Sequence, residues 1–90
     1  MKTLKIGDVI YVIFENSISR VKVFALGKDE FVHSEAFNEG MKEDFRYPLM
    51  YSDEGKNWTR TLNEAKEILR IKHPGEKITR IEEGYWEVDC

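Results

Sequence analysis

Ninety residues, 41% hydrophobic and 34% charged with a net charge of −3, define one globular domain and exclude a second domain or a disordered or fibrous chain. The acidic balance argues against general affinity for nucleic-acid phosphates, and no run approaches the roughly 20 apolar residues of a membrane-spanning helix. The only cysteine is Cys90, which permits no internal disulfide, and no apolar stretch of signal length follows Met1, so a reducing cytoplasm is the expected location.

The first element is Val9 to Phe14, a continuous β-branched and aromatic run too short for a helix. Such a run reads as a strand buried on both faces or at the centre of a tightly curled sheet. After a reversal at Glu15-Asn16-Ser17, Ser19 to Leu26 returns, with Val21, Val23 and Ala25 on one face against Lys22, Phe24 and Leu26 on the other. Gly27-Lys28-Asp29 makes a further turn into a third strand from Glu30 to His33, which is an antiparallel meander. Ser34 to Asp44 reads as an irregular acidic loop. Phe45 to Tyr51 regains strand character, and Pro48 assigns it to an edge or a bulge because proline cannot donate to the ladder. Ser52 to Lys56 is a turn and Asn57 to Arg60 a strand that brings Trp58 inward, so these two segments are expected to form a hairpin.

At Thr61 the period changes. Thr61-Leu62-Asn63-Glu64 matches a capping box, with the threonine hydroxyl accepting from a first-turn amide and the glutamate reaching back to the threonine amide. Leu62, Ala65, Ile68, Leu69 and Lys72 recur at helical intervals, while Lys66, Glu67 and Arg70 face outward. Pro74 and Gly75 stop the helix at His73. Lys77 to Glu82, the turn Glu83-Gly84 and Tyr85 to Val88 make a final hairpin. The expected fold is α+β: a strongly curved, mostly antiparallel sheet of five to seven strands, with one helix near residues 61–73 packed across an open side, Trp58 and one of Tyr85 or Trp86 beneath it, and a C-terminal hairpin.

The chemistry-bearing residues converge on no catalytic pattern. His33 and His73 stand forty residues apart with no Cys or second His at ligand spacing, the acids occur as adjacent pairs, and the six glycines are scattered singly as turn formers. No catalytic, metal or cofactor residue is assigned, and the chain is read as non-enzymatic. Its charge is divided: Lys56 to Arg80 holds seven basic residues against Glu64, Glu67 and Glu76, a net of +4, whereas Asp29 to Asp44 holds Lys42 against six acids, a net of −5. The aromatics exceed what so small a core needs, and Tyr47 and Tyr51, flanking Pro48 on an edge strand, are placed to meet a peptide or an added strand.

The order of G-D-V-I-Y-V-I at residues 7–13, the meander, and N-W-T-R-T-L-N-E-A-K-E-I-L at residues 57–69 resembles small phage and prophage proteins in which an SH3-like barrel precedes an aromatic-x-T-x-x-E-A helix. The resemblance covers about two thirds of the chain and implies no catalytic residue. The hairpin from Lys77 to Asp89 departs from it, which favours a partly open barrel over a closed one.

The leading functional expectation is a binding or accessory module, of phage or prophage type, that recognises a protein partner through Tyr47, Tyr51, Glu39, Glu43 and Asp44. One alternative is a viral inhibitor presenting the acidic stretch Glu35 to Asp44 to a nucleic-acid-binding site on a host enzyme. Another is nucleic-acid binding through Arg60, Lys66, Arg70, Lys72 and Lys77, with Trp58 or Trp86 stacking on bases.

Overall fold

The computed structural model describes residues 3–34 and 46–89 and, within them, every side chain but those of Ser34, Arg46 and Tyr47. Among the described residues seven strands, β1 (Val9–Phe14), β2 (Ser17–Leu26), β3 (Glu30–Ser34), β4 (Arg46–Met50), β5 (Trp58–Thr59), β6 (Ile78–Glu82) and β7 (Tyr85–Val88), accompany one α-helix, α1 (Leu62–Lys72). They form one strongly curled antiparallel sheet in the order β4-β3-β2-β1-β5, with the β6–β7 hairpin joined to β2 through β7. This is the α+β half-barrel that the periodicities predict, with the helix and the C-terminal hairpin in their expected places.

Strand β1 has a core on each face from Ile10 to Ile13, while Val9 and Phe14 at its ends are exposed. Ile10 and Val12 point into a cluster with Leu4, Val21, Val23, Phe31 and Trp58, inside the curl of the sheet. Tyr11 and Ile13 point the other way, into a cluster with Ile18, Trp86 and Val88 that α1 covers with Leu62, Ala65, Ile68 and Leu69. Ile10, Ile18, Val21, Phe31, Trp58, Ala65 and Leu69 are all fully buried, and their burial at roughly 1.5–3 kcal/mol per large side chain is the main force holding the sheet in its curl. Trp86 packs beneath the helix as expected. Trp58 does not: it belongs to the inner cluster, on the opposite face of β1.

One further expectation of strand pairing is corrected. The strands containing Pro48 and Trp58 do not form a hairpin, because β4 pairs with β3 (Phe31 opposite Leu49, Val32 opposite Pro48) and β5 pairs with β1 (Val12 opposite Trp58). The pairing of β2 with β3 contains a bulge: Val23 lies opposite His33, but an extra residue at Phe24 brings Ala25 opposite Val32 and Leu26 opposite Phe31. Burial along β2 still alternates as expected, with Val21 and Val23 buried and Lys22, Phe24 and Leu26 exposed.

The helix boundaries follow from chemistry already visible in the chain. Thr61 is the N-cap and its hydroxyl accepts from the Glu64 amide at 3.3 Å. The Glu64 carboxylate bonds that hydroxyl at 2.8 Å, and not the Thr61 amide as a full capping box requires. At the other end His73 is the C-cap, its amide donating to the Leu69 carbonyl at 2.9 Å, and Gly75 takes a φ of 81°. The acidic loop expected after Ser34 lies outside the described residues.

Candidate functional site at the mouth of the curled sheet

The inner core opens at one end into a cleft of about 320 Å³ lined by Thr3, Leu4, Gly27, Lys28, Tyr51, Glu54, Trp58 and Arg60, at the lower end of the roughly 300–1,000 Å³ typical of ligand sites. Leu4 and Trp58 are buried and form its floor, Tyr51 and Arg60 are half-buried and form its walls, and Thr3, Gly27, Lys28 and Glu54 are exposed at the rim.

Each wall is held from behind. The Tyr51 ring lies 5.3 Å from that of Phe31, and its hydroxyl donates to the Gly27 carbonyl at 3.1 Å. Trp58 meets Phe31 edge-on at 5.2 Å, and its indole Nε1 donates to the Met50 carbonyl at 2.9 Å. The Arg60 guanidinium lies 5.5 Å from the centroid of the Trp58 ring and holds the Glu54 carboxylate with two nitrogens, Nε to Oε2 at 2.7 Å and Nη2 to Oε1 at 3.4 Å. Such a fork fixes the arginine's plane, so the cleft has an apolar floor, an aromatic wall and a rigid charged pair at its lip. The short distance from Tyr51 to Trp58 in sequence, with a 3₁₀ turn at Tyr51–Asp53 between β4 and β5, is what brings these groups together.

The sequence-derived candidates are distributed differently from their grouping in the sequence. Tyr51 stands beyond the end of β4, in the 3₁₀ turn, and is a packed wall residue instead of a projecting aromatic on the edge strand. Glu39, Glu43 and Asp44 lie outside the described residues, as does the side chain of Tyr47. Of the basic set, Arg60 is in the mouth, Lys66 and Arg70 are on α1, where Arg70 pairs with Glu67 at 2.6 Å, Lys72 ends α1, and Lys77 precedes β6. The structure thus joins Tyr51 from one expected set to Arg60 from another. Glu54 and Leu4 were not singled out by the sequence reading; the signal for Glu54 was its position six residues before Arg60 across a tight turn.

The β4 edge is less open than its place at the end of the sheet suggests. The Tyr51 amide donates to the Asp29 carbonyl at 3.2 Å, and because antiparallel pairs alternate, Pro48 and Met50 fall at positions whose backbone groups face away from β3. Pro48 has no N–H there, and the Met50 carbonyl is taken by Trp58. Both features blunt an edge.

Among the described residues no three His, Cys, Asp or Glu side chains are grouped to hold a metal ion, and no helix is long and apolar enough to cross a membrane. Comparison with protein-family models, with curated proteins and with solved structures finds no match to this chain.

Proposed function

We propose that this domain is a non-enzymatic binding module that recognises a protein partner by taking one apolar side chain of that partner into the mouth cleft. The observation that supports this reading is the composition of the cleft: a buried Trp58–Leu4 floor and a Tyr51 wall beside the forked Arg60–Glu54 pair. Fixed aromatic surface with an oriented polar pair at its margin is the pattern of a recognition hot spot, where an apolar anchor supplies the energy and the polar rim sets its orientation. No nucleophile or general acid–base pair is brought together by these residues.

The test uses the exposed rim, because truncating Tyr51 would also remove core packing. Thr3→Trp fills the mouth from an exposed position, and Lys28→Glu reverses a charge beside it. Both variants should keep the wild-type melting temperature and lose capture of the partner protein retained by the immobilised wild-type domain. Capture that survives Thr3→Trp sinks the reading. A titration with single- and double-stranded oligonucleotides at about 50 mM salt separates the nucleic-acid alternative, which demands affinity falling steeply with salt.

A further inference from the structure

A second surface lies at β6. This strand is hydrogen-bonded to β7 alone; among the described residues no strand occupies its other edge. The direction of its backbone groups follows from its neighbours. The Asp89 amide donates to the Lys77 carbonyl at 2.8 Å, so Lys77 and Asp89 form a hydrogen-bonded pair. By antiparallel alternation Thr79, opposite Glu87, also turns its backbone groups to β7, whereas Ile78 and Arg80, opposite Val88 and Trp86, turn theirs to the open side. The Val88 amide agrees, since it donates away from β6 to the Asn16 carbonyl at 2.9 Å. Unlike β4, this strand contains no proline, and outward N–H and C=O groups on such an edge are a template for another strand.

The side chains decide which strand fits. Ile78 packs with Ile68 of α1, so alternation puts Ile78 and Arg80 on the helix side and Lys77 and Thr79 on the opposite face. Past the bulge between Arg80 and Glu82, Glu82 pairs with Tyr85, which faces away from the helix because its neighbour Trp86 faces towards it. On the face away from the helix β6 is therefore preceded by a base, Lys77, has the small, half-buried Thr79 at its middle and ends on an acid, Glu82. Glu87 and Asp89 share that face one strand further in, where the Tyr85 and Thr79 hydroxyls donate to them at 2.6 and 2.9 Å. Lys77 and Glu82 are thus the charges beside the open edge on this face. A strand of uniform charge would meet its own sign at one end of that edge. An antiparallel strand with base and acid at its two ends in this same order meets opposite charge at both, and β6 of a second copy is such a strand.

We propose that β6 pairs with β6 of a second copy, giving a two-fold dimer whose sheet runs through the interface. The axis passes beside Thr79. Ile78 of each copy exchanges backbone bonds with Arg80 of the other, and Thr79 meets its own counterpart as the close, non-hydrogen-bonded pair, which a small side chain admits. Lys77 of each copy comes beside Glu82 of the other, and on the helix side the Arg80 stem lies along the other copy's Ile78. The alternative register with Arg80 opposite Arg80 sets like charges together. Because the bulge ends the ladder, the contact is short and falls below the roughly 1,200 Å² of a tight interface, so the dimer is a weak one that forms at high concentration.

Sedimentation equilibrium up to about 1 mM, the weak end of the affinity scale, should show a monomer–dimer equilibrium. In the isotope-labelled domain the Ile78 and Arg80 amides should shift with concentration and exchange more slowly with solvent as the dimer forms. Arg80→Pro should leave a monomer with an unaltered melting temperature, since proline at an outward-facing edge position removes a donor from the new pair and forfeits no bond to β7. Lys77→Glu alone and Glu82→Lys alone should each weaken the dimer by about tenfold, and the two exchanges together should restore it, which keeps the test decisive if Arg80→Pro fails to fold. A monomer at every concentration, a dimer that Arg80→Pro leaves intact, or a double exchange no tighter than either single variant would each overturn the proposal. Thr3→Trp should leave the dimer untouched, so this result stands apart from that for the mouth cleft.

Discussion

Replacing Trp58 with Phe removes a hydrogen bond and part of the inner core in one step. Trp58 is fully buried, its ring meets Phe31 edge-on at 5.2 Å, and Nε1 donates to the Met50 carbonyl at 2.9 Å. The carbonyl left behind lies on an edge strand beside the half-exposed Met50, where water can reach it, so the bond is worth about 1 kcal/mol and not the larger penalty of a sealed group. The smaller ring leaves a gap between Leu4, Ile10 and Phe31 that costs about another 1–2 kcal/mol. The sum, about 2–3 kcal/mol, is a large share of the roughly 5–13 kcal/mol expected for a domain of this length and corresponds to a fall in melting temperature of about 10–20 °C. Urea titration at constant m-value measures the loss. In the wild type the indole N–H resonance should exchange slowly with solvent, as a buried donor does. A loss below about 1 kcal/mol, or an indole proton that exchanges at once, would refute the placement of Trp58 at the centre of the inner core.

Other perturbations probe the turns and one buried base. At Gly27 an added Cβ would stand 2.7 Å from the Glu30 backbone oxygen that the Gly27 amide itself bonds at 2.8 Å, so Gly27→Ala should destabilise by about 1–3 kcal/mol and its urea midpoint should fall accordingly. Glu15 holds a φ of 52° in the β1–β2 turn, a left-handed conformation that costs a side-chain residue about 1–2 kcal/mol; Glu15→Gly should raise stability by about 0.5–1 kcal/mol in the same assay, glycine's own entropy offsetting the rest. His33 is 3% exposed on β3, and burial holds its imidazole below the ordinary value of about 6.5. The unfolded chain therefore binds more protons than the native one as pH drops below about 6.5, and stability should decline from that pH downward and level off beneath the folded-state pKa. A ring-proton titration of His33 by NMR with a midpoint at or above 6.5 would contradict this.

Local signals in the chain carried the helix and the two-residue turn at Glu83-Gly84 because each rests on neighbours within four residues: Thr61 with Glu64, Pro74 after His73, Gly84 after Glu83. The apolarity of Ile10 to Ile13 was equally legible, since a strand with a core on each side needs it; Val9 and Phe14, exposed at the strand ends, needed it less. Pairing was harder. Nothing near Pro48 or Trp58 announces that one strand joins β3 and the other β1, since adjacent strands with a short turn between them carry the same signature whether or not they pair with each other. The bulge at Phe24 left no glycine or proline to mark it. The mouth cleft escaped for a related reason: Arg60 and Glu54 look like two surface charges until the turn at Tyr51–Asp53 folds them onto one another over Trp58.

The position of the mouth cleft has a physical cause in β1. With Ile10 and Val12 committed to the inner cluster and Tyr11 and Ile13 to the helix side, neither face of the central strand is left for a ligand, so recognition is displaced to where the layers end. The inner layer ends at the mouth, where Trp58 and Leu4 close the core and Tyr51 and Arg60 stand above them. The outer layer ends at β6, beyond Trp86 and Val88, where the sheet stops with Ile78 and Arg80 facing outward. The lip of the mouth carries Arg60 and Glu54 as a forked pair beside the Trp58 ring, which favours an apolar anchor.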